Sequence, residues 1–189
     1  QCLIQRKHSL KRSHGCAIMA KYTLIITEKP DAAQRIASAL DKKEKAKKTE
    51  HNGVPYYVAN RDKEIVIVPA LGHLYTVAEE RKGRNYYPVF SFKWVPRYAA
   101  ERGAKQIRVW VEAISKLAND ADTFIDACDY DIEGSIIGYS ILRYACGNKE
   151  TISKRMKYST LTKEELEKSY AEPLPHLDFT LIEAGRARH

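Results

Sequence analysis

The sequence has no apolar run long enough to cross a membrane. A membrane-spanning helix needs about 18 or more consecutive apolar residues, and no stretch of these 189 residues approaches that length. With 44% hydrophobic and 30% charged residues, the composition is that of an ordinary globular protein. The chain is long enough for one well-packed domain with a small appendage. We therefore expect no membrane partner.

Cysteine is scarce, and its four positions fit neither a disulfide framework nor a zinc site. Cys2, Cys16, Cys128 and Cys146 contain no Cys-x-x-Cys pair. Free thiols are typical of a reducing compartment, so we expect a cytoplasmic protein. Internal repeats and low-complexity segments are also absent, which argues against a repeat architecture.

The first 18 residues lack acidic side chains. They contribute +4 of the chain's net charge of +8. They also lack the continuous apolar core of a secretory signal. We interpret residues 1–18 as a basic leader that is non-native or disordered, with a transit peptide as the alternative, and exclude them from the fold prediction.

Hydrophobic periodicity predicts alternating strands and helices along the rest of the chain. We predict strands at 22–27, 53–60, 64–69, 122–127 and 153–158. Helices are predicted from Pro30 to about 40, and at about 107–117, 132–146, 162–171 and 178–189. Thr162 and Glu165 have the spacing of a capping box. Residues 41–50 and 75–101 are expected to be irregular. The alternation predicts an α/β fold, a three-layer sandwich with a mainly parallel central sheet.

Three carboxylates follow the strand predicted at 122–127. Asp129, Asp131 and Glu133 occupy alternate positions, and within about 12 Å of chain they repel one another unless a cation or protons intervene. Oxygen ligands of this density suit Mg²⁺, and ligands of open α/β sheets bind at the carboxyl ends of strands. An EF-hand loop is excluded, because its twelfth position holds Ser140 rather than Glu. The pattern predicts a Mg²⁺ site, with a solvated acidic loop as the alternative.

A pair of charged residues follows the first predicted strand. Glu28 and Lys29 come directly after residues 22–27. If this strand lies parallel and next to the strand at 122–127, the pair meets the three acids at one edge of the sheet. A lone Glu-Lys pair would be a surface ion pair, so its interest depends on that juxtaposition.

Residues 75–101 interleave basic and aromatic side chains. Single-stranded nucleic acid is bound by such mixtures, since bases stack on the rings and cations neutralise phosphates. The alternative is a long loop whose aromatic residues pack on the core. The side chains concerned are Arg81, Lys82, Arg84, Tyr86, Tyr87, Phe90, Phe92, Lys93, Trp94 and Arg97.

Together these features resemble the Toprim domain, a Rossmann-like fold shared by type IA and type II topoisomerases, bacterial primases and some nucleases. Five segments in the same order make the chain most similar to type IA DNA topoisomerases, especially the archaeal topoisomerase I and topoisomerase III-like forms. They are IITEKP (25–30), PALGHL (69–74), DYDIEG (129–134), YSTLTKEE (158–165) and EAGRARH (183–189). The resemblance covers about residues 20–189.

The resemblance implies three sets of site residues. Glu28 would be the general acid toward the leaving 3′ hydroxyl and the base in religation, and Lys29 would contact the scissile phosphate. The Mg²⁺ ligands would be Asp129, Asp131 and Glu133. The expected DNA contacts are His73, Arg186 and His189, with a structural role as the alternative for His73. Many family members have Glu where this chain has Ser135, which removes one outer carboxylate.

The resemblance also implies a domain plan and an activity. Residues 19–172 would form the Toprim domain, and residues 173–189 would begin a helical DNA-gate domain. The full-length enzyme would relax negatively supercoiled DNA by transient single-strand cleavage and religation, close to the nucleoid. Its partners would be single-stranded DNA segments and the remaining domains of the same chain. The family's nucleophilic tyrosine lies beyond this region, and none of the twelve tyrosines here matches its context, so the isolated chain is expected to be inactive.

Two alternatives remain at this point. A Toprim nuclease would hydrolyse DNA with metal and need no tyrosine. A non-catalytic, nucleic-acid-binding α/β module would carry the acids as exposed loop residues.

Overall fold

The computed structural model describes residues 21–80 and 91–189, so the predicted leader and residues 81–90 of the basic and aromatic segment lie outside the described residues. The strands are β1 (Tyr22–Thr27), β2 (Lys47–His51), β3 (Val54–Asn60), β4 (Glu64–Pro69), β5 (Tyr75–Glu79), β6 (Phe92–Pro96), β7 (Ala121–Asp126) and β8 (Lys154–Arg155). Six of them form a sheet with the order β2-β3-β4-β1-β7-β8, and a separate hairpin pairs β5 with β6. The helices are α1 (Pro30–Leu40), α2 (Arg97–Ala100), α3 (Ile107–Asn119), α4 (Ile132–Ser140), α5 (Lys163–Ala171) and α6 (Phe179–Arg188), and a π-helical turn at Ile141–Ala145 extends α4.

The parallel part of the sheet is centred on β1. Strand β1 pairs in parallel with both β4 and β7, and β7 pairs in parallel with β8. All six residues of β1 are buried, as expected of a strand covered on both faces. The two antiparallel strands, β2 and β3, form one side of the sheet.

Alternate residues of β1 pack into two hydrophobic cores, one on each face of the sheet. Ile25 belongs to the core that includes Ile36 of α1 and Leu166 of α5. Leu24 and Ile26 belong to the core that includes helices α3 and α4. Helices therefore cover both faces, which confirms the predicted three-layer α/β sandwich with a mainly parallel sheet.

The prediction of an irregular segment at residues 41–50 was wrong at its end. Residues Lys47–His51 form the edge strand β2, which pairs antiparallel with β3. Lys47, Lys48 and Glu50 are exposed, so the strand has no alternating apolar pattern. Strand β2 forms because its backbone hydrogen-bonds to that of β3. The lysines of β2 are typical of an edge strand.

Residues 75–101 are also more regular than predicted. The hairpin of β5 and β6 and the short helix α2 occupy the described part of this segment. Trp94 is partly buried against the core, whereas the side chain of Phe92 is 58% exposed. The half-buried strands show little alternation, which is why periodicity did not reveal them.

Two local predictions need correction near the end of the domain. The strand predicted at 153–158 is limited to Lys154–Arg155. Helix α5 begins as predicted, but the side chain of Thr162 makes no capping hydrogen bond. Glu165 instead accepts hydrogen bonds from the backbone N–H groups of Ser159 and Thr160, at 2.5 and 3.0 Å. The carboxylate thus fixes the preceding loop rather than closing a capping box.

Helix α6 confirms the helix predicted near residue 178 and packs against α4. The Asp178 carboxylate caps it by accepting hydrogen bonds from the N–H groups of Thr180 and Leu181. Ile182 is buried in the core shared with α4. Assigning residues 173–189 to a separate domain stays a prediction.

Two observations concern the chain's environment. Within the described residues, no helix has the length and apolar character needed to span a bilayer. Cys128 and Cys146 are free and buried, and burial raises the pKa of both thiols.

Candidate functional site

The parallel register brings the ends of three strands to one edge of the sheet. Thr27, the last residue of β1, lies opposite Pro69, the last residue of β4. Ile26 of β1 lies opposite Asp126, the last residue of β7. The segments that follow these strands therefore emerge side by side, at the edge where open α/β sheets bind their ligands.

Glu28, Lys29 and Asp129 meet at this edge. The Lys29 Nζ atom lies 2.5 Å from Asp129 Oδ2 and 3.5 Å from Glu28 Oε1. The side chain of Glu28 is only 19% exposed, whereas that of Lys29 is 59% exposed. Burial raises the pKa of Glu28, and the charges of Asp129 and Asp131 raise it further, against the opposing effect of Lys29. The hydrogen bond to Asp129 raises the pKa of Lys29.

Asp131 shapes the start of helix α4. Its Oδ1 atom accepts a hydrogen bond of 2.7 Å from the backbone N–H of Gly134, which makes it the N-cap of the helix. A Cβ atom at Gly134 would overlap the carbonyl oxygen of Asp129. The glycine therefore lets the acidic loop turn back on itself directly into the helix.

Glu133 faces a different set of neighbours. Its Oε2 atom lies 3.0 Å from His73 Nε2 and 3.8 Å from His189 Nε2. Its Oε1 atom accepts a hydrogen bond of 3.2 Å from Arg188 Nη1. Burial lowers the pKa of His73, although Glu133 opposes the change. Among the described residues, the three whose metal-ligating atoms all lie within 4.8 Å of one another are His73, Glu133 and His189.

A buried ion pair lies next to the acidic loop and contacts its backbone. Arg155 Nη1 lies 2.6 Å from Asp126 Oδ2, and both side chains are at most 2% exposed. Arg155 Nη2 also donates a hydrogen bond of 2.8 Å to the carbonyl oxygen of Asp129. The sequence reasoning missed this pair, although Asp126, a charged residue at the buried end of β7, was a signal that it needed a partner.

The predicted DNA contacts divide between two places. His73 and His189 lie together at Glu133, with their ring centroids 5.3 Å apart. Arg186 instead pairs with Glu183 on its own helix, at 2.7 Å. It lines an open groove of about 760 Å³ between α6 and the β5–β6 hairpin, together with Phe92, Lys93, Trp94 and His189. Sequence reasoning missed Arg188, which contacts Glu133 where Arg186 does not.

The site has more acidic than basic groups. Four carboxylates (Glu28, Asp129, Asp131 and Glu133) belong to this edge, where Lys29 pairs with Asp129 and Arg188 pairs with Glu133. Among the described residues, the oxygens of Asp129 and Asp131 do not both lie within 4.8 Å of each other and of a third ligating group. With all four carboxylates ionised, the excess is two negative charges, which one divalent cation would neutralise. The oxygen donors of Asp129 and Asp131 are of the type that Mg²⁺ prefers, so the donor set fits such an ion.

Known proteins resemble this chain both in sequence and in fold. The model of the Toprim domain family matches residues 23–161. The chain is 45% identical over 168 residues to DNA topoisomerase 1 of Methanocaldococcus jannaschii, covering 88% of this chain and 21% of that protein. It is also 45% identical over 167 residues to DNA topoisomerase 1 of Pyrococcus horikoshii, covering 88% of this chain and 24% of the relative. The chain therefore spans less than a quarter of the length of these relatives.

A solved structure carries a similar fold. The structure of full-length topoisomerase I from Thermotoga maritima aligns with a TM-score of 0.56 and 19% sequence identity. The alignment covers 87% of this chain and 23% of that one. This likeness concerns the arrangement of helices and strands alone.

Proposed function

This chain belongs to the Toprim domain family, and from that premise we propose that it is the metal-binding domain of a type IA DNA topoisomerase. The observation that carries the proposal is the contact between Lys29 and Asp129, 2.5 Å long. It joins the Glu-Lys pair after β1 to the acidic loop after β7, two features separated by 100 residues. The full-length protein would relax negatively supercoiled DNA by single-strand cleavage and religation.

Glu28 would move the proton in this reaction. Its raised pKa lets it hold a proton closer to neutral pH than an ordinary glutamate, as a general acid must. It would donate that proton to the leaving 3′ hydroxyl and take it back during religation. The exposed ammonium of Lys29 would contact the scissile phosphate and neutralise part of its charge.

Asp129, Asp131 and Glu133 are proposed as the residues that hold a metal ion. Toprim domains bind metal, and we propose Mg²⁺ because carboxylate oxygens are its preferred ligands. A bound Mg²⁺ would supply charge neutralisation to the phosphodiester. The chain's own groups screen part of the acidic charge, since Lys29 pairs with Asp129 and Arg188 with Glu133.

Single-stranded DNA is proposed as the partner at the groove beside α6. Phe92 and Trp94 offer stacking surfaces there, and Lys93 and Arg186 offer positive charge beside the acidic Glu79 and Glu183. That combination binds single strands with little sequence preference. His73 and His189 are proposed to contact the strand near the acids. The remaining domains of the full-length chain, and a cytoplasmic location close to the nucleoid, belong to the same proposal.

A domain exchange tests the proposal. The matching segment of the Methanocaldococcus jannaschii topoisomerase is replaced by residues 20–189 of this chain, and relaxation of negatively supercoiled plasmid is measured. We expect Mg²⁺-dependent relaxation, which Glu28→Gln should reduce at least about a hundredfold, the scale of losing an acid–base group. Asp129→Asn should also reduce it, because the substitution removes a proposed metal ligand. A folded chimera that binds DNA but leaves the plasmid supercoiled would contradict the proposal.

The isolated chain provides the complementary measurement. It is expected neither to relax nor to nick the plasmid, because the nucleophile would come from another domain. Metal-dependent nicking by the isolated chain, lost in Asp129→Ala, would instead identify a Toprim nuclease.

A further inference from the structure

Two histidines from separate parts of the fold converge on a single carboxylate oxygen of Glu133. His73 follows β4, Glu133 lies in the first turn of α4, and His189 follows α6. Glu133 Oε2 lies 3.0 Å from the Nε2 atom of His73 and 3.8 Å from that of His189. The ligand atoms of all three residues lie within 4.8 Å of one another.

These distances suit a small coordination shell. Zinc bonds to imidazole nitrogen and carboxylate oxygen are about 2.0–2.2 Å long, so two donors in a tetrahedral shell lie about 3.3 Å apart. The two measured distances lie on either side of that value, and small rotations of the side chains would equalise them. Two histidines and one glutamate are a ligand set that leaves the fourth position of a zinc ion open.

The surroundings already orient the ligands. Arg188 holds Glu133 by Oε1, which leaves Oε2 to the histidines. Arg97 Nη1 donates a hydrogen bond of 3.3 Å to the carbonyl oxygen of His73, and the ring of His189 packs edge-on against Trp94. The contacts of Arg188 and Trp94 act on the Glu133 carboxylate and the His189 ring themselves, as contacts that orient metal ligands do, whereas the Arg97 bond holds the backbone of His73. The side chains of His73, Glu133 and His189 are 26%, 44% and 35% exposed, so an ion can reach them.

We propose that His73, Glu133 and His189 form a second metal site, which binds a divalent transition-metal ion such as Zn²⁺. Imidazole nitrogen selects such ions over Mg²⁺, which favours oxygen ligands. Because Glu133 also belongs to the proposed Mg²⁺ set, an ion bound by the histidines would withdraw one acid from that set. The second site requires only the three side chains and stands whether or not the full-length protein is a topoisomerase.

The test is a titration of the 189-residue chain with Zn²⁺, followed by calorimetry, and with Co²⁺, followed by its visible absorption. Cys2, His8, His14 and Cys16 are rival ligands, so a background variant replaces them with Ser and Gln. A Gly-Ser-Gly extension after His189 moves the terminal carboxylate away from the site. We expect one Zn²⁺ per chain and intense Co²⁺ bands, which indicate fewer than six ligands.

Single substitutions then assign the ligands. His73→Gln, His189→Gln and Glu133→Gln should each weaken Zn²⁺ binding at least about tenfold, the smallest loss usual even for residues that only support a ligand. His176→Gln changes an exposed histidine away from the site and should leave binding unchanged. Each variant is compared with the parent by circular dichroism and thermal melting, so that loss of the fold is recognised separately.

Asp129→Asn separates the two metal proposals. This variant removes a proposed Mg²⁺ ligand but no proposed Zn²⁺ ligand, so its Zn²⁺ binding should stay within about twofold of the parent. If the Mg²⁺ proposal failed, the expected Zn²⁺ results would be the same. The absence of saturable Zn²⁺ binding, or equal binding by the parent and the folded histidine variants, would overturn the second site.

Discussion

At the scale of single residues, the ionised side chain of Glu28 lowers the stability of the fold. Its side chain is 19% exposed, and burial followed by the charge of Asp129 raises its pKa. A raised pKa means that the folded protein binds the proton more tightly than the unfolded chain does. The stability linked to that proton is fully present below the ordinary pKa of 4.5 and is lost as the pH rises through the folded-state pKa.

Glu28→Gln should therefore stabilise the metal-free protein at neutral pH. Glutamine keeps a neutral, similarly shaped side chain at every pH, so the variant avoids the cost of the buried charge. We expect a gain of about 1 kcal/mol in the free energy of unfolding at pH 7.5, which is within the range usual for a single stabilising substitution. The gain should shrink toward zero at about pH 4. Urea denaturation at both pH values measures it.

Glu50→Gln is the matched control for this substitution. Glu50 is exposed on β2, so its replacement should change stability by less than about 0.5 kcal/mol at either pH. If Glu28→Gln destabilised the protein at pH 7.5, or gave the same change at both pH values, the environment described for Glu28 would be wrong.

The acids that follow β7 could be located from sequence because they are close together in the chain. The loop from Asp129 to Glu133 follows a strand whose last three residues are buried, and its position needed no tertiary information. The sequence did not indicate which arginine of α6 contacts Glu133. Arg186 and Arg188 are two positions apart, and side chains at that spacing on a helix lie about 200° from each other. Arg188, not Arg186, therefore faces Glu133. The pairing of Arg155 with Asp126 joins distant parts of the sequence, and no local pattern specifies it.

At the scale of elements, the contact between α4 and α6 determines where Arg188 and His189 lie. Gly185 of α6 is buried against Ile132 and Ile136 of α4. A Cβ atom at this position would overlap Ile136 Cγ1 and lie 3.2 Å from Ile132 Cγ2. The glycine allows the two helices to approach closely enough for the end of α6 to reach Glu133.

Gly185→Ala should push α6 away from α4. Overpacking of this kind costs about 1–3 kcal/mol, although alanine is the better helix former. Gly103→Ala is the matched control, because a Cβ atom at Gly103 meets nothing within 4 Å, and it should be neutral or slightly stabilising. Chemical denaturation of both variants measures the difference. Equal stability of the two variants would show that α6 does not pack on α4 as described.

The elements that sequence predicted best are those with a complete periodic pattern. Strand β1 has the apolar centre Leu24–Ile26, and α1 carries Ala33, Ile36 and Leu40 on one face. Strand β2 and the β5–β6 hairpin were missed because their side chains are largely exposed or half-buried. Their regularity comes from pairing with neighbouring strands, which is a tertiary effect that overrides weak local preference.

At the scale of the whole molecule, the parallel sheet brings together side chains from almost the full length of the described chain. Glu28 follows β1, His73 follows β4, Asp129 follows β7 and His189 follows α6. The acids repel one another there, and Lys29 and Arg188 offset only part of their charge. A divalent cation at this edge should therefore stabilise the entire fold rather than one loop, because it would bind the folded state alone.

The central claim is that the acidic edge binds Mg²⁺, and thermal unfolding with and without about 10 mM Mg²⁺ tests it most directly, at matched ionic strength. For a Kd on the order of 1 mM, the ion adds about 1.4 kcal/mol, which raises the Tm of a chain of this size by about 3–6 °C. Asp131→Asn can keep the helix cap while removing the charge, and Asp129→Asn removes the charge beside Lys29. We predict that both variants lose most of the Mg²⁺-dependent rise and that His73→Gln retains it. No rise in the unmodified chain, or the same rise in the two aspartate variants, would contradict the account.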